Sequence, residues 1–234
     1  MNAKPKFLKS IIAILVIVLI PYGVFLAFRI GQQGVFSAQD MIRYPLVFGG
    51  ISILIVLLIK RYFLQEPLSD FNKTGGSWSN DLKWGLLLTA FYFILFALER
   101  ISLRSLLNSP SNMELLGLML EMREKPILLL LWFGPVLWIG VAFYEELIRV
   151  FLLSSLWKFS KNLRWILAVI LITSLIMGFV HWNQGSYGIV TITIKSFVAC
   201  WFFYKKRRLM PLVYAHVLYD GLQVAQLLLT YPQD

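Results

Sequence analysis

Two adjacent carboxylates and a guanidinium, Glu145, Glu146 and Arg149, interrupt the apolar run FYEELIRVFLL between Phe143 and Leu153. On a helix, spacings of four and three residues let Arg149 reach either carboxylate. Such a cluster forms a coupled unit able to supply a base, and it can equally be a buried ion pair that fixes helix packing. The chain has only two histidines, and both fall at or inside apolar stretches: His181 in SLIMGFVHW and His216 in MPLVYAHVLYDGL. Asp220 follows His216 by one helical turn and shares its face. Two imidazoles, three carboxylates and an arginine match the needs of hydrolysis in an apolar medium. A base must activate water, an acid must protonate the leaving amine, and donors must stabilise an oxyanion.

The elements that position these groups are apolar. Of 234 residues, 59% are hydrophobic and 15% charged, against about half and a quarter in soluble domains. The mean hydropathy is +0.73. Apolar segments run over about 8–28, 45–63, 84–98, 126–157, 164–182, 186–204 and 210–230, most approaching the roughly 20 residues that span a bilayer as helix. Without water to satisfy exposed backbone, and without strand alternation, they read as helices. The expected fold is all-α: a polytopic transmembrane helical bundle of about seven (6–8) spanning helices. Glu145, Glu146, Arg149 and Asp220 would together cost on the order of 10 kcal/mol facing lipid alone, so they must face one another or a wet cavity.

Charge and cysteine narrow the class further. The net charge of +10 sits in short clusters between apolar runs, with no basic stripe of interleaved aromatics, which argues against nucleic acid. The single cysteine, Cys200, excludes an internal disulfide and a cysteine-rich metal site, and reads as a packing residue. The first segment follows Lys4, Lys6 and Lys9 and lacks a nearby cleavage pattern, so it is expected to be a retained signal anchor. Placing the N-terminus in the cytoplasm puts on that side those three lysines, then Lys60, Arg61, Lys73 and Lys83, then Lys158, Lys161 and Arg164, and finally Lys205, Lys206, Arg207 and Arg208. The other side then holds Arg29, Arg43, Arg100, Arg104, Arg123 and Lys125, a bias that favours the N-terminus inside and the C-terminus outside.

Two connections are long. Residues 64–83 read as a polar loop with a Gly-Gly turn. Between 111 and 124, Ser111 and Glu114 fit a capping box, while Glu114, Gly117, Glu121 and Glu124 line one face of a helix otherwise made of Leu and Met. An interfacial helix is expected there, with Pro126 opening the next one. This divides the chain into N-terminal helices and loops (1–110) and a catalytic core (111–234) within one integrated membrane domain. Lys195, inside the sixth segment, snorkels, pairs with a carboxylate, or lies beyond a shifted boundary.

The ordered set Glu145-Glu146-x-x-Arg149, His181 and His216-x-x-x-Asp220 resembles the three-motif pattern of the CAAX-processing intramembrane endopeptidases, the CPBP or Abi family. That family includes type II CAAX prenyl endopeptidases and bacterial members linked to bacteriocin immunity. The resemblance covers roughly residues 126–230. It implies that Glu145 and His181 activate the attacking water, that His216 and Asp220 help stabilise the oxyanion, and that Glu146 and Arg149 support the site. Two positions depart from the pattern. Met177 stands where phenylalanine is usual, and Asp220 where asparagine is frequent. An aspartate donates a hydrogen bond only when protonated, so Asp220 could instead orient His216.

The implied activity is hydrolysis of a peptide bond in a membrane-associated protein or peptide, prenylated CAAX tails being the eukaryotic case. The implied location is a bacterial cell membrane. The expected surroundings are membrane lipid and that substrate, and oligomeric state is open. No cofactor is expected to be required; the alternative is Zn²⁺ held by Glu145, His181 and His216, although the sequence lacks His-Glu-x-x-His. A non-catalytic immunity or scaffold protein would have no need of these residues, and a proton-relaying transporter would show a repeat that is absent from the sequence. One conflict stands. Counting from the segment ends, Glu145, His181 and His216 lie about 20, 26 and 9 Å deep, so straight helices cannot bring them together; Pro135 and Gly140 could break or tilt the over-long 126–157 segment.

Overall fold

The computed structural model describes residues 3–31, 37–72, 76–108 and 113–231, and these are helical with no β-strand among them. In chain order the helices are α1 (Ala3–Gly31), α2 (Ala38–Phe63), α3 (Trp78–Ser102), α4 (Met113–Arg123), α5 (Pro126–Trp157), α6 (Leu163–Phe179), α7 (Gly185–Lys206) and α8 (Met210–Thr230). Among the described residues, five stretches are long and apolar enough to cross a membrane: α2, α3, α5, α8, and α7 with its leading turn from Trp182. The fold is the expected polytopic helical bundle, with the count of seven only approximate.

Several boundaries differ from the hydropathy reading, each for a local reason. Helix α2 starts at Ala38 because Ser37 and Asp40 form a reciprocal capping box. Helix α3 starts at Trp78, well before the apolar stretch, with Ser77 accepting a hydrogen bond from the Asn80 amide at 3.3 Å. The expected 64–83 loop is therefore partly helical, with a tight 3₁₀ turn at Leu68–Phe71; Gly75 of the Gly-Gly pair lies outside the described residues. Helix α6 stops at Phe179, leaving His181 in the turn beyond it. Ser111 and the Glu114 side chain lie outside the described residues, while Pro126 does open α5 at its first turn.

Helix α5 is the pillar of the bundle. Pro135 disfavours helical torsions in the residue before it, and Gly134 takes φ −86°, ψ −110°. The break leads into a wide π-helical stretch, Trp132–Phe143, before regular helix resumes at Tyr144. From Glu146 to Ser155 every side chain is buried, including Leu147, Val150, Phe151, Leu152 and Leu153 at 1% exposure or less. Where lipid is as apolar as leucine, such packing rests on close van der Waals fit rather than on expelled water. Small residues provide that fit: a Cβ on Gly140 of α5 would come within 2.7 Å of the Pro45 carbonyl carbon of α2.

The basic ends gather on one face. Phe7 of α1 packs on Phe159 (5.1 Å between centroids), Lys60 and Lys158 share Glu66, and Trp157 stacks on Phe203 at 5.6 Å. The ends of α2, α5 and α7 thus meet the starts of α1, α6 and α8, as alternating spans require.

Candidate active site

The six residues singled out in the sequence lie together, on α5, on α8 and in the turn that follows α6. Glu145, Glu146 and Arg149 occupy the first turns of regular helix in α5, Glu146 facing inward at 4% side-chain exposure and Glu145 half-buried. Arg149 pairs with Glu146, one of the two partners its spacing allowed. His216 Nδ1 lies 2.8 Å from the same Glu146 oxygen, and its Nε2 lies 3.1 Å from Asp220 Oδ2 one turn along α8. Glu145 stands between the imidazoles: its Oε1 is 3.8 Å from His181 Nε2 and its Oε2 is 4.0 Å from His216 Nε2.

Two features reconcile the depths that straight helices set apart. His181 turns its ring back toward the end of α6, placing Nδ1 2.8 Å from the Met177 carbonyl and so nearer the basic face than an outward-pointing ring would lie. Helix α8 begins recessed. Gly85, seven residues into α3, meets Tyr214 and the Pro211 carbonyl, so the start of α8 lies roughly 10 Å inward of the start of α3. The 2.8 Å contact between His216 and Glu146 shows directly that the imidazole reaches the level of the Glu145–Glu146 pair. The break expected in α5 is present at Gly134, on the far side of Glu145 from the basic face, where it widens the helix without altering that distance.

The Met177 carbonyl can only accept, so Nδ1 of His181 carries a proton and Nε2 is the nitrogen turned toward Glu145. Met177 itself is buried at 3%, in keeping with a packing role. Both nitrogens of His216 face carboxylates, so this ring is a donor on each side. Glu145 and His181 border two chambers. One, of about 620 Å³, also reaches Glu146, Arg149, His216 and Asp220, with Asn183, Gln184 and Gln223 on its walls. The other, of about 380 Å³, runs between α1, α2, α5 and α6 and is lined by Ile17, Pro21, Phe48 and Ile176. Among the described residues, no group of three or more His, Cys, Asp or Glu is placed to hold a metal ion.

Sequence reasoning missed two residues of this region, Tyr219 on the larger chamber's wall and Glu99 just behind it. Tyr219 sits beside Asp220 and packs against Tyr92 and Phe93 of α3. Glu99 of α3 pairs with Lys195 at 3.1 Å, which decides between the alternatives for that lysine. A buried lysine needs an acidic partner, and that need was the available signal. Glu99 lay just beyond the apolar stretch ending at 98. Cys200 is free and fully buried, as a packing residue would be.

No curated protein and no solved structure matches the chain. A protein-family model does: residues 127–222 match the family described as type II CAAX prenyl endopeptidase Rce1-like. That stretch begins at the second residue of α5 and ends in α8, and it contains Glu145, Glu146, Arg149, His181, His216 and Asp220. The segments that bring these side chains around one polar chamber thus all lie within the stretch that matches the Rce1-like protease family.

Proposed function

We propose that the protein is an intramembrane endopeptidase that hydrolyses a peptide bond of a membrane-associated protein or peptide with a water activated by Glu145 and His181. The observation that carries this reading is the placement of the Glu145 carboxylate 3.8 Å from His181 Nε2 on the wall of a polar chamber inside an apolar bundle. That gap is too long for a direct hydrogen bond and suits a bridging water. The carboxylate takes a proton from the water as its oxygen adds to the scissile carbonyl carbon. The tetrahedral oxyanion then collapses, the C–N bond breaks, and the leaving amine receives the proton back through the Glu145–His181 pair. His216, a donor on both sides, brings positive charge next to the developing oxyanion. Asp220 serves as the acceptor that orients His216, rather than as an oxyanion donor. Glu146 holds Nδ1 of His216, and Arg149 keeps Glu146 charged within the bundle.

Zinc held by Glu145, His181 and His216 suits this donor set poorly, because both nitrogens of His216 face carboxylates and neither has a lone pair to share with a metal. The reading therefore requires no cofactor. The distribution of Lys and Arg supports a cytoplasmic N-terminus, and we place the chain in a bacterial cell membrane. Domain 111–234 would carry the chemistry and 1–110 would support it.

The test is cleavage of membrane-anchored peptides by the purified chain in detergent, with Glu145→Ala and His181→Ala alongside and each reaction run with and without a chelator. Turnover should fall by about 10²–10⁴-fold in each variant and be indifferent to the chelator. Turnover that is lost on chelation and restored by zinc would replace this mechanism with a metal-dependent one. Full activity in both variants would refute it.

A further inference from the structure

Lys195 sits midway along α7, where an ammonium in apolar surroundings is costly and needs a reason. Its Nζ is 3.1 Å from Oε2 of Glu99, whose side chain is 4% exposed against 18% for the lysine. The two ends of this ion pair therefore face different surroundings. Lys195 lines the larger chamber together with Glu145, Glu146, His181 and His216, whereas Glu99 stands behind it, off the chamber wall. The rings of Tyr219 and Phe96, also on that wall, flank the ammonium at 5.0 and 5.8 Å. They fix its position without using its N–H groups.

An ammonium has three donors, and the contact to Glu99 is an ion pair in which neither carboxylate oxygen makes a hydrogen bond. The chamber's other side-chain cation that is not an imidazole, Arg149, is buried against Glu146. Lys195 is thus a pre-positioned donor aimed into the chamber. Tyr219, whose ring it overlies, is three residues past His216, about 4.5 Å of helical rise.

We propose that Lys195, held by Glu99, is the seat for a carboxylate of the substrate peptide within a few residues of the scissile bond. Two sources share this chemistry: an Asp or Glu side chain, and a free C-terminus. The inference rests on the peptidase reading above and adds a specificity determinant to it. Lys195 acts on substrate choice and takes no part in activating water.

The experiment compares kcat/KM of the full-length purified chain on matched membrane-anchored peptides. In one arm Glu is exchanged for Gln at each position flanking the cleaved bond; in the other the C-terminus is free or amidated. Wild type is expected to favour the carboxylate form in at least one arm by about ten- to a hundredfold, as a charge-assisted hydrogen bond implies. The responding arm identifies the source. Lys195→Met should collapse that ratio toward unity. Because it also strands Glu99, the exchange Glu99→Lys with Lys195→Glu is run beside it. That variant keeps an ion pair between α3 and α7 but moves the ammonium behind the wall. It should melt closer to wild type than Lys195→Met does and still lose the preference. A wild type that cleaves peptides without preference in either arm overturns this inference alone, as does a preference that survives the exchange. A wild type that cleaves no peptide overturns the peptidase reading, and this inference with it.

Discussion

The two chambers that meet at Glu145 and His181 are built from different materials. The larger lies among α3, α5, α7 and α8 and collects the amides, carboxylates and cations of the bundle; the smaller, among α1, α2, α5 and α6, is walled by aliphatic and aromatic side chains. Val141, one turn before Glu145, lines both. The proposed catalytic pair therefore stands on a boundary, with a face that can hold water and peptide backbone on one side and a face that rejects both on the other. A peptide bond next to an apolar anchor meets both requirements at once, since its polar atoms and its apolar neighbour need different solvents.

Two substitutions probe this contrast, and a third sets its scale. On the polar side, Arg149→Met should be the most damaging to stability. It leaves Glu146 buried without its guanidinium, at a cost of about 3–5 kcal/mol, read as a loss of folded protein or a large fall in thermal midpoint in detergent. If Arg149→Met melted like wild type, the ion pair would not be what holds the polar chamber together. On the apolar side, Gly140→Ala forces a methyl group against the backbone of Pro45. It should cost about 1–3 kcal/mol by overpacking, and the damage should centre on the α2–α5 contact. Protease protection of α2 in the variant would reveal this; unchanged protection would mean that the contact yields more easily than its spacing implies.

The smallest effect lies outside both chambers, on the basic face. Burial pushes the Glu66 carboxyl up, but the ion pairs with Lys158 and Lys60 outweigh it and hold the group below its usual value of 4.5. A carboxylate depressed in the folded state contributes stability above its unfolded pKa and loses it as the pH falls through the folded one. Glu66→Gln should therefore flatten the decline in thermal midpoint below about pH 4.5, by about 1 kcal/mol, because Glu66 and Lys158 stay partly exposed although Lys60 is buried. An unchanged acid limb would assign that decline to other carboxylates.

How much of this was legible in the sequence depended on whether a feature announces itself locally. The helices did, because apolar length alone specifies them, and so did the Glu-Glu-x-x-Arg cluster, because helical spacing brings Arg149 to Glu146. The starts of α2 and α3 were missed because polar first turns carry no hydropathy signal; Ser37–Asp40 and Ser77 gave a capping signal instead. The Glu99–Lys195 pair joins residues on α3 and α7, a pairing that no local window contains. The depth conflict between Glu145, His181 and His216 came from assuming that helices start level with one another. It dissolves through the folded-back His181 ring and the recessed α8, both of them tertiary facts.

The recessed start of α8 also bears on modularity. The first residue before that helix is clamped from outside the family-matched stretch: the Leu209 amide donates to the Phe71 carbonyl at 3.1 Å and to the Asn72 side chain at 3.2 Å, and Arg208 is paired with Asp81. Each residue of slippage at this clamp would turn His216 by about 100° around the helix axis. The segment around Phe71 and Asn72 thus acts as the index mark for the rotational phase of α8. Recombining the Rce1-like stretch with a foreign N-terminal half would preserve every motif residue and still misaim His216 and Asp220.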